Sequence, residues 1–218
     1  MKIYLSPSDQ WSNICSGSGH SEAYHCTQIA DECAKYLRGY GYEVLVGNNS
    51  EDGTYPNRVT ESNDWGADYH IPIHTNAGGG QGTLVMTFPT TVNDSYVTSV
   101  YNKVASLTPT PDYGVRSDET LYEILNTVAT CIYIECEFHD TETLAQWIDE
   151  NVTAIGKAIA DGFAEVDGLT INNGSGNNHT DSNVLYKVQC GAFKNRSNAE
   201  ALKQSLINNG FEAVIKVE

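Results

Sequence analysis

The sequence predicts an α/β fold, a mostly parallel twisted sheet with helices on both faces, joined to a small C-terminal βαβ unit. Three observations predict it. Segments dense in β-branched residues alternate with amphipathic segments as far as residue 166, the pattern of strands covered by crossover helices. The run "TCIYIECEF" (130–138) is apolar enough for a buried strand. After Val166 the periodicity stops, then resumes near residue 184 as strand, helix, strand.

In chain order, "KIYLS" (2–6) is the first strand, and a polar loop rich in Gly and Ser follows through Gly19. Ser21-Glu22 opens a helix, "EAYHCTQIADECAKYLRGYG", whose Ile29, Cys33, Tyr36 and Leu37 recur at helical spacing until Gly39 and Gly41 end it. "YEVLVG" (42–47) is a strand, 57–67 a short helix, and "ADYHIPIHTN" the strand that follows. "GTLVMTF" (82–88) is a further strand and 93–106 a helix. The long helix 141–166 carries Leu144, Ile148, Val152, Ile155, Ile159 and Phe163 on one stripe. These elements divide the chain into a domain at 1–167, a linker at 168–183 ("GLTINNGSGNNHTDSN") and a segment at 184–218. Thirty-five residues are too few for an independent core unless that last unit pairs with something.

Composition narrows the function. With 12 Lys+Arg against 28 Asp+Glu, a net charge of −16, the chain has no surface suited to neutralising phosphates, so nucleic acid is not an expected partner. No apolar run approaches a membrane span, and "MKIYLSPSDQ" does not read as a signal peptide, so cytoplasmic synthesis is expected. The six cysteines form no CxxC pair and read as free thiols.

The stretch "ADYHIPIHTNAGGG" (67–80) holds two histidines four residues apart. In a regular strand such residues share a face but lie about 13 Å apart. One metal with bonds of about 2 Å cannot take both. His74 is the candidate ligand, because the strand breaks just after it, at the carboxyl end where open α/β sheets bind ligands. His70 reads as a core histidine held by a hydrogen bond. Glu22 opens the first helix toward the same edge, either as a ligand or as a favourable charge on the helix dipole. His25, at i+3 from Glu22, is a weaker candidate, and His179 lies in the linker. Glu135 ends a buried strand, where a carboxylate needs a partner or a chemical role. Glu137 shares its face, and His139 follows as the strand stops.

These parts, in this order, resemble the zinc-dependent N-acetylmuramoyl-L-alanine amidases over about residues 1–166. "NDWGADYHIPIHTNA" is similar to the family's Ser-x-His-x-Asn-Ala strand end, and "LYEILNTVATCIYIECEF" to its segment ending in Leu-x-Glu-x-x-Phe. The resemblance implies that Glu22 and His74 bind Zn2+ and that Glu135 is the catalytic glutamate. The family's Gly-His-Gly, source of a third ligand, is replaced here by "LSPSDQ". His139 is the expected substitute, with Asp9 and His20 as alternatives.

The C-terminal "YKVQCGAFKNRSNAEALKQSLINNGFEAVI" resembles the first half of a SPOR domain, a peptidoglycan-binding module. Gln189, Phe193 and Lys194 are its expected contact residues, and two half-domains could complete one sheet in a homodimer. The resemblance implies a bacteriolytic peptidoglycan hydrolase of the endolysin kind, reaching the cell wall after release. The alternatives are a non-catalytic wall-binding protein with a degenerate metal site, and a metal-free glycosidase using Glu135 and a second acid.

Overall fold

The computed structural model describes residues 1–48, 54–169, 191, 193, 195–208 and 214–215. The chain divides into two units, Met1–Asn172 and Asn173–Glu218.

The first unit runs β1 (Lys2–Pro7), α1 (Glu22–Tyr40), β2 (Glu43–Val46), α2 (Tyr55–Trp65), β3 (Tyr69–Asn76), β4 (Leu84–Thr87), α3 (Ser95–Ala105), β5 (Gly114–Ser117), α4 (Tyr122–Asn126), β6 (Thr130–Cys131), β7 (Tyr133–Phe138) and α5 (Glu142–Val166). The sheet order is β2-β1-β3-β7-β4-β5, with β6 pairing β3. All pairings are parallel except β4 with β7.

Local chemistry sets the element ends. Ser21 caps α1 by accepting from the Tyr24 N–H, and Gly41, at φ +96°, closes it with its N–H on the Arg38 carbonyl. Asp94 caps α3 by accepting from the N–H groups of Tyr96 and Val97. The expected strand 130–138 is divided at Ile132, whose N–H donates to the His70 carbonyl, so β6 and β7 both pair with β3.

Strand alternation sorts the sheet into two unlike faces. Ile3, Leu5, Ile71, Ile73, Val85, Ile134 and Cys136 form one core with apolar side chains of α1, α3 and α5. The stripe expected on α5 is there: Ile148, Ile155, Ile159 and Phe163 are fully buried. Gly156 lets α5 lie against α1, since a Cβ there would stand 2.6 Å from the Ile29 carbonyl oxygen. The other face carries a small cluster of Ile124, Cys131 and Tyr133 and an unusual density of buried polar groups, among them Ser6, Arg58, His70 and Glu123. The five cysteines described are free and buried.

In the second unit, α6 spans Arg196–Asn208, and Phe193 is exposed. Gln189, Lys194, most of the expected linker and, apart from Val214 and Ile215, the strands expected on either side of α6 lie outside the described residues. Among the described residues, no helix is long and apolar enough to cross a membrane.

Candidate metal centre and catalytic carboxylate

The site begins at the first turn of α1. Glu22 is 1% exposed and held from several sides. Asn13 Nδ2 donates to its Oε2 at 2.8 Å, Gln10 Nε2 approaches Oε1 at 3.4 Å, and His74 Nδ1 lies 2.8 Å from Oε1. Burial alone would raise the Glu22 pKa. The hydrogen bond and charge of His74, with hydrogen bonds from Ser8 and Asn13, outweigh it and hold the carboxyl below its ordinary value. Burial would likewise lower His74, yet the Glu22 hydrogen bond and the charges of Glu135 and Glu22 raise it.

His74 stands near the carboxyl end of β3, its ring stacked on Tyr133 with centroids 4.6 Å apart. The β3–β7 register sets Glu135 directly beside His74. Glu135 Oε2 and His74 Nε2 are both buried without a hydrogen-bond partner. Burial pushes the Glu135 carboxyl up to about 7, with the His74 charge opposing and that of Glu22 adding. A carboxylate oxygen and an imidazole nitrogen meeting in a buried pocket suit a divalent cation such as zinc. A second carboxyl beside them, poised near neutrality, suits proton transfer.

The other expected ligands are elsewhere. Among the described residues no third His, Cys, Asp or Glu donor lies within 4.8 Å of both Glu22 and His74. His139, expected to complete the set, is buried, with its Nδ1 2.9 Å from Thr75 Oγ1 and 3.1 Å from the Thr75 carbonyl oxygen. Thr75 follows His74 on a strand, so its side chain points to the opposite face and takes His139 with it. Asp9 turns toward α2, accepting from the Tyr55 N–H and facing Arg58 Nη2 at 3.9 Å. His20 and His25 both face Asp149 on α5. His70 is fully buried, with Nε2 3.1 Å from Glu123 and its ring stacked on Tyr4.

Sequence reasoning missed Gln10 and Asn13, which come from an aperiodic loop with no pattern to flag them. It also missed Glu123, for which a charge inside the apolar "YEILN" was the available signal.

Residues 12–165 match the N-acetylmuramoyl-L-alanine amidase family, and residues 182–218 match the SPOR domain. The sporulation-specific N-acetylmuramoyl-L-alanine amidase of Bacillus subtilis (strain 168) is 26% identical over 223 residues, covering 99% of this chain and 84% of that protein. The fold is similar to the catalytic domain of CwlV, an N-acetylmuramoyl-L-alanine amidase from Bacillus (Paenibacillus) polymyxa var. colistinus. That match has a TM-score of 0.68 at 16% identity, over 78% of this chain and 100% of that one. An N-acetylmuramoyl-L-alanine amidase from Clostridium difficile 630 gives 0.66 at 20% identity, over 77% and 96%. With the family match spanning most of the chain, this protein belongs to the N-acetylmuramoyl-L-alanine amidases, peptidoglycan hydrolases that cut the amide between the N-acetylmuramic acid lactyl group and L-alanine.

Proposed function

We propose that Glu22 and His74 hold the zinc ion of this amidase and that Glu135 moves the protons of the reaction. The observation that carries the reading is one constellation. His74 Nδ1 lies 2.8 Å from Glu22 Oε1, and Glu135 is beside His74 in register with an unpartnered Oε2. Bound there, zinc supplies Lewis-acid polarisation of the scissile carbonyl and lowers the pKa of water. Glu135 accepts a proton from the attacking water and delivers it to the leaving L-alanine nitrogen. Its elevated pKa suits both halves of that task near neutral pH. Tyr133, stacked on His74, fixes the ring, and Asn13 fixes the second oxygen of Glu22. Gln10, like Asn13, reaches the Glu22 carboxylate through its side-chain amide nitrogen and so positions that ligand from behind.

The substrate is bacterial peptidoglycan, with the SPOR segment as the wall-binding part. For its biological setting we keep the endolysin role, with the sporulation role named for the Bacillus subtilis relative as the competing one. The test is release of L-alanine amino termini from purified wall by wild type and Glu135→Gln, with and without chelator. Activity that survives exhaustive chelation would reject the metal mechanism. Comparing lysis of vegetative walls and spore cortex separates the two settings.

A further inference from the structure

A second set of donors gathers at the rim, one helical turn from Glu22. His25 Nε2 lies 3.0 Å and His20 Nδ1 3.4 Å from the same oxygen, Asp149 Oδ1. All three donor atoms lie within 4.8 Å of one another. Tetrahedral zinc with bonds of about 2.0–2.1 Å holds neighbouring ligand atoms about 3.3 Å apart. Both measured separations straddle that spacing. The three residues come from separate places: His20 from the loop between β1 and α1, His25 from the second turn of α1, and Asp149 from α5.

We propose that His20 Nδ1, His25 Nε2 and Asp149 Oδ1 form a second zinc site, distinct from the Glu22–His74 centre, that fastens the loop between β1 and α1 to α5. Two imidazoles and one carboxylate favour zinc over magnesium or calcium, which prefer all-oxygen sites. His25 is fully buried, and its other ring nitrogen, Nδ1, sits 3.5 Å from Cys15 Sγ. That contact orients the ring and leaves Nε2 toward Asp149, as groups behind a metal-ligating histidine do. His20 is stacked on Tyr24, with centroids 4.0 Å apart. His20 and Asp149 are both about half-exposed, so an ion can enter from solvent.

The location gives the site its role. The same loop carries Gln10 and Asn13, which contact Glu22, and its Ser16 N–H donates to the His139 carbonyl. Loading the rim site would fasten this loop to α5 and add to the stability of the fold, without contributing to the chemistry.

The experiment strips the full chain of metal, titrates it with Zn2+ against a competing chelator, and counts bound zinc per chain. Wild type is expected to take two zinc ions. His20→Ala and Asp149→Asn are each expected to take one and to keep wild-type turnover at saturating zinc, with a lower Tm than zinc-loaded wild type. His74→Ala is expected to take one and lose activity, and the His20→Ala/His74→Ala double variant to take none. A single zinc in wild type that only His74→Ala removes would overturn the rim site and leave the catalytic assignment standing. A single zinc that only His20→Ala removes would support the rim site and overturn the catalytic one. Two zinc ions retained in His20→Ala would also overturn the inference.

Discussion

His70 and His74 stand on one strand, face the same side of the sheet, and each meets a glutamate, yet their surroundings differ. His70 faces Glu123, a carboxylate already bonded by Ser6 Oγ, and its ring is stacked on Tyr4. The hydrogen bond and charge of His70, with the Ser6 hydrogen bond, keep Glu123 below its ordinary pKa against the opposing and larger effect of burial. That network lies mid-strand, between α4 and β1. His74, four residues on, faces Glu22 at the strand's open end, beside a second carboxylate whose Oε2 has no partner. The difference teaches where chemistry can sit. Each ring keeps one buried nitrogen without a partner, Nδ1 of His70 and Nε2 of His74, so the rings alone do not separate the two pairs. What differs is the near-neutral Glu135 carboxyl beside His74, whose free oxygen suits proton transfer.

The sharpest test of that contrast is metal content and activity in the two alanine variants. His74→Ala is expected to lose the catalytic zinc and all wall hydrolysis while remaining folded. His70→Ala is expected to keep that zinc and most of the activity. Equal loss of metal in a folded His70→Ala protein would erase the distinction between the two pairs.

Next in size is Glu135→Gln. It should retain zinc, because Glu135 is not in the Glu22–His74 contact, but turnover should fall by roughly two to four orders of magnitude, the scale of a general base. Loss of zinc in this variant would make Glu135 a ligand and require another base.

Much of this contrast was readable in the sequence because it follows from strand periodicity. A spacing of four on a strand ending in Thr-Asn-Ala-Gly separated His74 from His70 before any coordinates, and an acid closing an apolar run marked Glu135. The position of His139 could not be read in the same way, because the β3–β7 register shifts between His74 and Asn76. Its nearness in sequence to Glu135 suggested a common rim, but its bonds to Thr75 carry it to the other face of the sheet. The pairing of His25 with Asp149 joins residues 124 apart, and no local pattern announces a contact of that range. β5 escaped as well, since "GVRS" has one apolar residue and lies at the sheet edge, where burial imposes little on sequence.

A smaller effect should separate the pairs by stability rather than activity. His70→Ala removes a fully buried ring and one of the hydrogen bonds to Glu123, leaving Ser6 as a remaining partner. The expected cost is about 1–3 kcal/mol, read as a lower Tm with catalytic zinc content unchanged. A Tm equal to wild type would show that the His70–Glu123 network contributes nothing to the fold.

The smallest effect concerns pH and the metal-free protein. Glu135 titrates at about 7 in the fold against 4.5 unperturbed, so the folded state binds its proton more tightly than the unfolded chain does. The stability this confers is fully present below pH 4.5 and is lost as pH rises through about 7. Above that, an ionised carboxylate occupies a pocket that burial makes unfavourable for charge, relieved only in part by His74. Glu135→Gln removes the ionisation and keeps the shape. In the presence of chelator, the variant should therefore melt higher than wild type at pH 8, by about 1–2 kcal/mol once partial exposure of the side chain is allowed for. The two proteins should converge toward pH 4, where both side chains are neutral. His70→Ala offers the control, because Glu135 is intact there and the wild-type loss of stability between pH 4.5 and 7 should persist. A Glu135→Gln curve parallel to wild type across that range would mean that the carboxyl is not held protonated by its pocket, and the proton-carrying role would lose its physical basis.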